Sequence, residues 1–496
     1  MRLLDIDSDV CVQPQVLFKQ SEGRFRIRSL YCQRLGRLSH IMHPIPEEIS
    51  RAWKFAEANR SKFVNDLCAL VAQPSVSAKA EGLKECAELV RSMMSALGLN
   101  AKLFPQSDAP EIVYGELKGE SGAKTLIIYN HYDVQPVEPL DEWRSEPFKP
   151  VVRGGKIFGR GVGDDKGEIV ARFKAIESLV NSGGTVKPNI RWVIEGEEEV
   201  GSPHFKGFVL KNRSLFKGDG CLWEGGDRTA KFTPEVHLGV KGLLYVEFRL
   251  KVGEKDQHSM YGPIAPNPAW RLVNLLKTIR NDKGRILIDG FYDDIAEPTE
   301  QERVFLKRNE FSSEGLRRAL QIDYLLNEKS DVKTIQKLLY SPTANIAGFG
   351  SGYLGDGSKT IVPKQAFVKM DFRLVANMKA KDVLSKLRAH MKKHGFEDVE
   401  LVVHSMEDPA KTPLESYIAQ TCIRCTEMVY RKEPNVWPTV AGTGPLSLFT
   451  RTLKLPTAMG LGVAYSGSGF HAPNEHIYAD HYMKAIKELI CLFSIF

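Results

Sequence analysis

Hydrophobic residues along this chain fall into three patterns, and each predicts a different kind of element. Continuous apolar runs at 125–129 and 189–194 predict fully buried strands. Before the sequence NSGG at 181–184, apolar residues recur at helical spacing, and the glycines end that helix. Apolar positions alternate at 244–252 and again at 366–374, which predicts strands with one solvent-facing side. The chain therefore contains an α/β pattern and, separately, an α+β pattern.

The order of these patterns predicts two domains, one inserted into the other. A chain of 496 residues is long enough for this. The pattern changes near residue 239 and returns near residue 408, so we expect one domain from 42–238 and 408–496 and an inserted domain at 239–407. Inside the insertion, the order strand–helix–strand–strand–helix–strand predicts a compact α+β fold. Residues 1–41 lack periodicity, and we expect them to be a disordered, dispensable extension.

Acidic and imidazole side chains follow the predicted buried strands. His131 and Asp133 come after the first strand, and the sequence EGEEEVGS at 195–202 comes after the next. Asp164 and Asp165 lie in a glycine-rich loop that opens the intervening helix. Open α/β sheets bind ligands outside the carboxyl ends of their strands. These side chains are therefore expected to lie at one binding edge.

Three interpretations compete for the glycine-rich loop, GRGVGDDKG at 159–167. A phosphate cradle is disfavoured, because the Walker spacing is absent and two aspartates at a helix start would repel phosphate. For the loop alone, a turn in which Asp165 caps the helix would be the commonest structure. A metal site is favoured, because the neighbouring strand ends also carry ligand types. Asp133 is placed to accept the second ring N–H of His131, as carboxylates do at metal sites.

Seven short motifs occur in the order found in the M20 family of co-catalytic metallopeptidases, and the chain resembles its carnosine-dipeptidase-like (cytosolic nonspecific dipeptidase-like) branch. They are HYDVQP at 131–136, GRGVGDDKG at 159–167, EGEEEVGS at 195–202, LWEGG at 222–226, QHSMYG at 257–262, DFRLV at 371–375 and GFHAPNE at 469–475. The resemblance implies a zinc-exopeptidase-type α/β catalytic domain with a mixed central sheet, and an inserted, ferredoxin-like α+β lid or dimerisation domain. The long lid and its GFYDD stretch at 290–294 resemble the dipeptidases more than the short-lid deacylases.

The resemblance also implies the metal ligands. Asp164 would bridge two divalent ions, one of which takes His131 and Glu224 and the other Glu199 and His471. Zinc is the expected metal, and the same ligand types also suit manganese and cobalt.

Three further residues are expected to take part in catalysis. Glu198 and Glu199 are adjacent, so their side chains point apart, and one can bind metal while the other faces a bridging water. Spacing alone leaves these two roles interchangeable, and the motif match favours Glu198 as the general base. By resemblance, Asp133 is also catalytic. His258, in the lid, would polarise the scissile carbonyl in the partner subunit of a homodimer formed through that domain.

Substrate contacts are predicted at three positions. Arg373 would bind a substrate carboxylate bidentately, which suits a guanidinium. By resemblance, Thr360, which follows the glycine-rich segment 348–357, and Thr443, in its own glycine-rich loop, would be further contacts. Ordinary turns explain both glycine-rich loops equally well.

The predicted activity is hydrolysis of dipeptides or short peptides by a water activated between two metal ions. One alternative is an M20 amidase or deacylase that acts on N-acyl amino acids with the same metals and base. The other is a non-catalytic metal-binding protein on the same scaffold, and the intact Glu198 argues against it.

Composition limits the partners. A net charge of +7, with no single basic patch, gives no reason to expect nucleic acid. No apolar run reaches about eighteen residues, so no membrane span is predicted. The eight cysteines are scattered and no secretory signal is recognisable, so we expect a cytoplasmic protein with reduced thiols and a small peptide substrate.

Overall fold

The computed structural model describes residues 45–326 and 330–496, and the predicted extension at 1–41 lies outside them. In chain order, the α-helices are α1 Glu47–Ala58, α2 Arg60–Val71, α3 Leu83–Ala96, α4 Lys166–Asn181, α5 Phe205–Lys211, α6 Pro268–Ile279, α7 Glu300–Arg308, α8 Ser313–Ala319, α9 Asp331–Tyr340, α10 Ala380–Lys393, α11 Tyr417–Tyr430 and α12 Ala479–Ile495. The β-strands are β1 Asn100–Gln106, β2 Ala109–Leu117, β3 Thr125–His131, β4 Val151–Arg153, β5 Lys156–Phe158, β6 Asn189–Glu195, β7 Gly220–Trp223, β8 Glu235–His237, β9 Gly239–Val240, β10 Gly242–Lys251, β11 Gln257–His258, β12 Thr343–Ser351, β13 Ile361–Val362, β14 Gln365–Leu374, β15 Glu400–Glu407, β16 Ala410–Lys411, β17 Asn435–Trp437, β18 Thr457–Met459 and β19 His476–Tyr478. None of the helices in the described ranges is long and apolar enough to cross a membrane.

The larger sheet has eight strands in the order β1-β2-β6-β3-β7-β18-β8-β17. Strand β3 runs parallel to both β6 and β7, whereas β1 and β2 are antiparallel, so the sheet is mixed. Because β3, β6 and β7 are parallel neighbours, their carboxyl ends meet at one edge of the sheet. That edge carries His131, Glu195 and, just beyond β7, Glu224.

Helix α4 is buried on nearly all sides, as expected of a helix covered by other elements. It packs against α1, α2 and α12. Phe173 and Trp192 pack together, with ring centroids 4.8 Å apart, and both lie in the core between helix and sheet. This packing fixes the start of α4, and therefore the loop that carries Asp164, relative to the sheet.

The smaller sheet has four antiparallel strands in the order β12-β14-β10-β15. Its buried positions alternate as predicted, and they form a separate hydrophobic core with α6 and α10. Together with α6 and α10, these strands give the strand–helix–strand–strand–helix–strand order of a ferredoxin-like fold. Asn267 caps α6 by accepting hydrogen bonds from the N–H groups of Ala269 and Trp270.

The patterns at 47–73 and 203–218 each predict one helix, and the structure interrupts both. The first divides at Asn59, and the second contains only α5 and a short 3-10 turn at 213–216. At both breaks an asparagine amide donates to a carbonyl four residues earlier, from Asn59 to Phe55 and from Asn212 to Phe208, each at 2.9 Å. Asparagine side chains compete in this way for main-chain hydrogen bonds, so helices tend to end at them.

Candidate metal centre

The loop between β5 and α4 places a single carboxylate between two histidines. Asp164 Oδ1 lies 2.9 Å from His131 Nε2, and Asp164 Oδ2 lies 3.2 Å from His471 Nε2. Burial alone would raise the pKa of Asp164, but the hydrogen bonds from the two histidines hold it below its usual value. One side chain therefore faces both histidines, as a bridging metal ligand must.

The loop reaches this position because it folds tightly onto the start of α4. A Cβ atom on Gly167 would lie 2.0 Å from the carbonyl oxygen of Val162, so no larger residue fits there. Gly161 has a φ of +84°, which glycine adopts at little cost. The glycines of this motif thus bring Asp164 to the sheet edge.

The first side of the site contains His131 and Glu224. His131 Nε2 lies 3.5 Å from Glu224 Oε2, a buried atom with no hydrogen-bond partner among the described residues. His131 Nδ1 lies 3.1 Å from the main-chain oxygen of Asp133 and 3.3 Å from its Oδ1. His131 Nδ1 can therefore donate to the Asp133 carboxylate, as expected, or to the Asp133 carbonyl. In both cases His131 Nε2 faces Asp164 and Glu224.

The second side contains Glu199 and His471. Glu199 Oε2 lies 3.3 Å from His471 Nε2 and accepts a hydrogen bond of 2.8 Å from the Gln135 amide. His471 has a φ of +60°, in the left-handed region that non-glycine residues rarely adopt and that is enriched at functional sites. Hydrogen bonds to the Asp164 and Glu199 carboxylates raise the pKa of His471 to about 10.

Asp165 also has a carboxylate oxygen near the first side, in a group with His131 and Glu224 whose ligand atoms all lie within 4.8 Å of one another. Its Oδ2 accepts hydrogen bonds from the Asn130 amide at 2.6 Å and from the His131 N–H at 3.1 Å. The interpretation of Asp165 as a helix cap is wrong for the side chain, which makes no capping bond. Instead it positions the main chain of His131.

The donor set fits two divalent cations. Four carboxylates and two imidazoles converge, and all except His471 are buried or half-buried. Burial raises the pKa of Glu224 well above its usual value, because the charged form of a carboxylate loses its hydration there. Its unpartnered Oε2 atom also needs a positive or donor group. Nitrogen and oxygen ligands of this kind suit zinc, manganese or cobalt.

Glu198 lies beside this group with a free side chain. Among the described residues, its carboxylate makes no hydrogen bond or ion pair, whereas that of Glu199 is held by Gln135. Burial raises the pKa of Glu198 to about 7. Asp133 sets the position of both glutamates, because its carboxylate accepts the N–H of Glu198 at 3.2 Å and that of Glu199 at 3.0 Å.

A buried arginine behind the site ties two of the strand ends together. The Arg172 guanidinium, on α4, donates to the carbonyl of Tyr129 in β3 and to that of Trp223 in β7, each at 2.7 Å. It also pairs with Glu168 at 3.0 Å, and Glu168 accepts the N–H of Gly225 at 3.0 Å. Arg172 thus holds the chain beside both His131 and Glu224.

Glu475 is a supporting residue to which the sequence pattern assigned no role. Its Oε1 accepts the N–H groups of Gly163 at 2.8 Å and Asp164 at 3.2 Å. Its Oε2 accepts the N–H of Gly161 at 2.9 Å and the Arg160 guanidinium at 2.9 Å. The carboxylate therefore fastens the loop of His471 to the loop of Asp164. The only sign of this role in the sequence is that Glu475 ends the GFHAPNE motif, and an acidic residue in a loop is usually solvated.

The predicted substrate residues form two groups. Arg373, near the end of β14, donates a hydrogen bond of 2.7 Å to the hydroxyl of Thr443, which lies in the glycine-rich loop at 442–445. His258 and Thr360 lie near each other instead, because the N–H of Ser259 donates to the Thr360 carbonyl at 3.0 Å. Both side chains are exposed, and in the part of the chain that the structure describes neither contacts the metal-ligand residues.

Comparison with known proteins decides the family. The model of peptidase family M20/M25/M40 matches residues 127–494. The chain belongs to this family. The predicted resemblance, the fold class and the enzyme class, a hydrolase of peptide bonds, are thereby confirmed.

Individual relatives agree with this assignment. The chain is 27% identical over 474 residues to the Cys-Gly metallodipeptidase dug1 of Schizosaccharomyces pombe, covering 90% of this chain and 97% of the relative. It is 25% identical over 414 residues to the Beta-Ala-His dipeptidase of Rattus norvegicus, covering 81% and 83%. The crystal structure of the M20 family metallo-carboxypeptidase Sso-CP2 from Sulfolobus solfataricus matches with a TM-score of 0.81 and 39% identity, covering 88% of this chain and 99% of that one.

Proposed function

We propose that this chain is a two-metal dipeptidase. The observation that carries the proposal is the position of Asp164, whose two carboxylate oxygens face His131 and His471 separately. Glu224 and Glu199 lie one on each side of it. Dipeptidases among the relatives support the substrate class.

We assign His131 and Glu224 to one ion, Glu199 and His471 to the other, and Asp164 to both. Two divalent ions bound there would polarise the scissile carbonyl and lower the pKa of an attacking water to about 7 from 15.7. Zinc is the metal we expect from the mixture of imidazole and carboxylate ligands. Asp165 would keep the main chain of His131 in place.

Glu198 is the proposed general base. It takes a proton from the attacking water while the water oxygen bonds to the carbonyl carbon. The proton then passes from Glu198 to the leaving amine as the C–N bond breaks, so the carboxylate is regenerated. Its carboxylate, which has no partner among the described residues, suits a group that accepts a proton and then donates it. Glu199, which Gln135 holds toward His471, suits a ligand.

Arg373 and Thr443 would bind the terminal carboxylate of the substrate. They are already joined at 2.7 Å, and a guanidinium retains free donors for a bidentate contact. A carboxylate contact at a fixed distance from the metals restricts cleavage to the peptide bond beside the last residue.

We further propose that the chain works as a homodimer through an inserted domain at 239–407, between catalytic segments 42–238 and 408–496. His258 and Thr360 are exposed together on this insertion, away from the ligands of their own chain. Edge strand β12 exposes the apolar side chains of Ile346 and Phe349, and an unpaired edge of this kind favours association. His258 would then polarise the substrate carbonyl in the partner subunit.

The six cysteines in the described ranges are unpaired thiols, which supports a cytoplasmic location.

A carboxypeptidase is the second candidate, because the solved metallo-carboxypeptidase is 39% identical to this chain. Both activities need a terminal carboxylate and differ in the length of peptide accepted. Hydrolysis of alanyl-leucine, of a series from tripeptide to hexapeptide ending in leucine, and of N-acetyl-leucine distinguishes a dipeptidase from a carboxypeptidase and a deacylase. Protein stripped of metal and resupplied with zinc, manganese or cobalt should be used for each.

The Glu198→Gln variant tests the mechanism. We expect it to bind two metal ions per chain and to lose nearly all turnover of alanyl-leucine, because the proton acceptor is gone while the ligands remain. Glu199→Gln is the matched control and should lose metal. If the two variants exchange these phenotypes, Glu199 is the base and Glu198 the ligand.

A further inference from the structure

Lys241 is a buried cation without a counter-charge. Its side chain is 3% exposed, and its ammonium group donates one hydrogen bond of 2.7 Å to the main-chain oxygen of Ser341. Among the residues of 45–326 and 330–496, no carboxylate lies within 4.0 Å of it. Buried ammonium groups are costly unless paired, so an unpaired one is a candidate for binding an anion.

The backbone on either side of Lys241 holds the loop that carries Thr443. The N–H of Lys241 donates to the carbonyl of Gly442 at 2.8 Å, and the N–H of Val440 donates to the carbonyl of Gly239 at 2.9 Å. Lys241 therefore lies beside the residue that accepts the hydrogen bond from Arg373.

Strands β10 and β14 bring Lys241 and Arg373 to the same end of the smaller sheet. Leu243 in β10 is paired directly with Arg373 in β14, and Lys241 lies two residues before Leu243, just ahead of the strand. On the other side of β14, Thr343 is paired with Arg373, and Ser341, the partner of Lys241, lies two residues before Thr343. The two cations thus flank the same end of β14.

Among the described residues, a carboxylate lies within 4.0 Å of Arg373 but none lies within that distance of Lys241. Asp371 Oδ1 is 3.9 Å from the Arg373 guanidinium, and Asp371 also accepts a hydrogen bond from Asn345. The described residues therefore supply no adjacent counter-charge to Lys241. Burial, and then the charge of Arg373, lower the pKa of Lys241 to about 8, which agrees with a cation that lacks an anion.

We propose that Lys241 is a second cation of the carboxylate subsite and makes a free terminal carboxylate a requirement for substrate binding. This rests on the proposed function, since the anion is the carboxylate of the substrate's last residue. Lys241, Arg373 and Thr443 would surround it, and its negative charge would be the counter-charge that Lys241 lacks among the described residues. Neutral C-terminal amides would leave Lys241 unpaired and would be rejected.

A purely structural role for Lys241, in which it only holds Ser341, predicts something different. Loss of that contact would change stability, and it would weaken the binding of a free acid and of an amide equally. The comparison of an acid with its amide therefore separates the two roles.

The test measures the binding of alanyl-leucine and alanyl-leucinamide by calorimetry to zinc-loaded protein in a Glu198→Gln background, which prevents cleavage. The parent should bind the acid more tightly than the amide. Lys241→Met should weaken binding of the acid roughly ten- to a hundredfold, the range for a hydrogen bond to a charged group, and leave the amide unchanged. Lys241→Arg should restore much of the preference. Lys251→Met is the control, because Lys251 lies at the far end of β10 and pairs with Glu254.

The same measurement can overturn the proposal. If Lys241→Met binds the acid as tightly as the parent does, or loses acid and amide binding equally, Lys241 is not part of the subsite. If the parent does not distinguish acid from amide, the carboxylate subsite itself is refuted. Failure of wild-type protein to hydrolyse alanyl-leucine, with the binding preference intact, would refute the dipeptidase assignment and leave the role of Lys241 standing.

Discussion

Replacing Glu475 by glutamine should loosen the loop that carries the proposed bridging ligand. The carboxylate of Glu475 accepts four hydrogen bonds, two on each oxygen, from three main-chain N–H groups and the Arg160 guanidinium. The guanidinium is itself buried and makes its ion pair with Glu475 alone among the described residues. Glutamine has nearly the same shape, so the change tests charge and hydrogen bonding rather than volume.

The size of the effect follows from the geometry. An amide can turn its oxygen toward either pair of donors, and its NH2 group then faces the other pair. In one orientation, the N–H groups of Gly163 and Asp164 lose their acceptor. In the other, the N–H group of Gly161 and the Arg160 guanidinium lose their acceptor. A buried donor without a partner costs about 1–3 kcal/mol, and breaking a buried ion pair costs about 3–5 kcal/mol. We therefore expect a loss of about 3–5 kcal/mol of stability.

Metal binding should weaken as well, because Asp164 is held by the same carboxylate. Loss of a residue that orients a metal ligand typically lowers metal affinity about 10–100-fold. Urea unfolding of metal-free protein gives the stability, and competition with a chromophoric chelator gives the zinc affinity. Glu146→Gln is the matched control, since Glu146 is an exposed carboxylate paired with Lys149, and both quantities should stay near wild type.

Two outcomes would refute this reasoning. If the free energy of unfolding of Glu475→Gln is within about 1 kcal/mol of the wild-type value, the four donors find other acceptors and the explanation by hydrogen bonds is wrong. If stability falls but zinc affinity does not, Glu475 supports the fold without positioning Asp164.

Two further predictions concern His258 and His481. His258→Ala should keep its metals and lose about 10²–10³-fold in turnover. Mixing it with Glu198→Gln should restore activity in heterodimers. An inactive mixture with proven subunit exchange would contradict the action of His258 in the partner's site. Burial lowers the pKa of His481 to about 3, so the unfolded chain, titrating near 6.5, binds the extra proton as pH falls. His481 therefore contributes stability that is complete above about pH 6.5 and declines toward pH 3 by up to about 1.4 kcal/mol per unit. In His481→Phe the ring can remain beside Phe232 and Tyr478, and the free energy of urea unfolding should depend less steeply on pH between about pH 5.5 and 4. An unchanged pH dependence would show that the pKa of His481 does not change on folding.

The fold could be predicted in outline because its elements carry local patterns. The apolar run of β3 and the alternation in β10 and β14 depend on neighbours within a few residues, and the structure has these strands where the patterns lie. The ends of helices were harder to predict, since the break at Asn59 depends on a side-chain hydrogen bond that an apolar period does not show.

The candidate ligands were predicted from the motifs that resemble the M20 family, and His131, for example, ends a recognisable strand. The residues that hold them could not be predicted. Glu475 and Arg160 are 315 positions apart, and Lys241 and Ser341 are 100 positions apart. In the sequence Glu475, Arg160 and Lys241 are each one charged residue among many, and burial of such residues is decided by tertiary packing.

A physical difference separates the acids that hold the site from those proposed to bind metal. Asp133, Asp165 and Glu475 all accept hydrogen bonds from main-chain N–H groups of the loops and strand ends that carry the ligands. Asp164, by contrast, directs its oxygens at imidazoles, and Glu224 leaves a buried oxygen unpartnered. Glu475 accepts two hydrogen bonds on each oxygen and so has little capacity left for a cation, whereas both bonds of Asp165 use Oδ2. The bond from the His131 N–H gives Asp165 a positioning role, and Asp164, with one oxygen facing each histidine, is the carboxylate that we propose as the bridge.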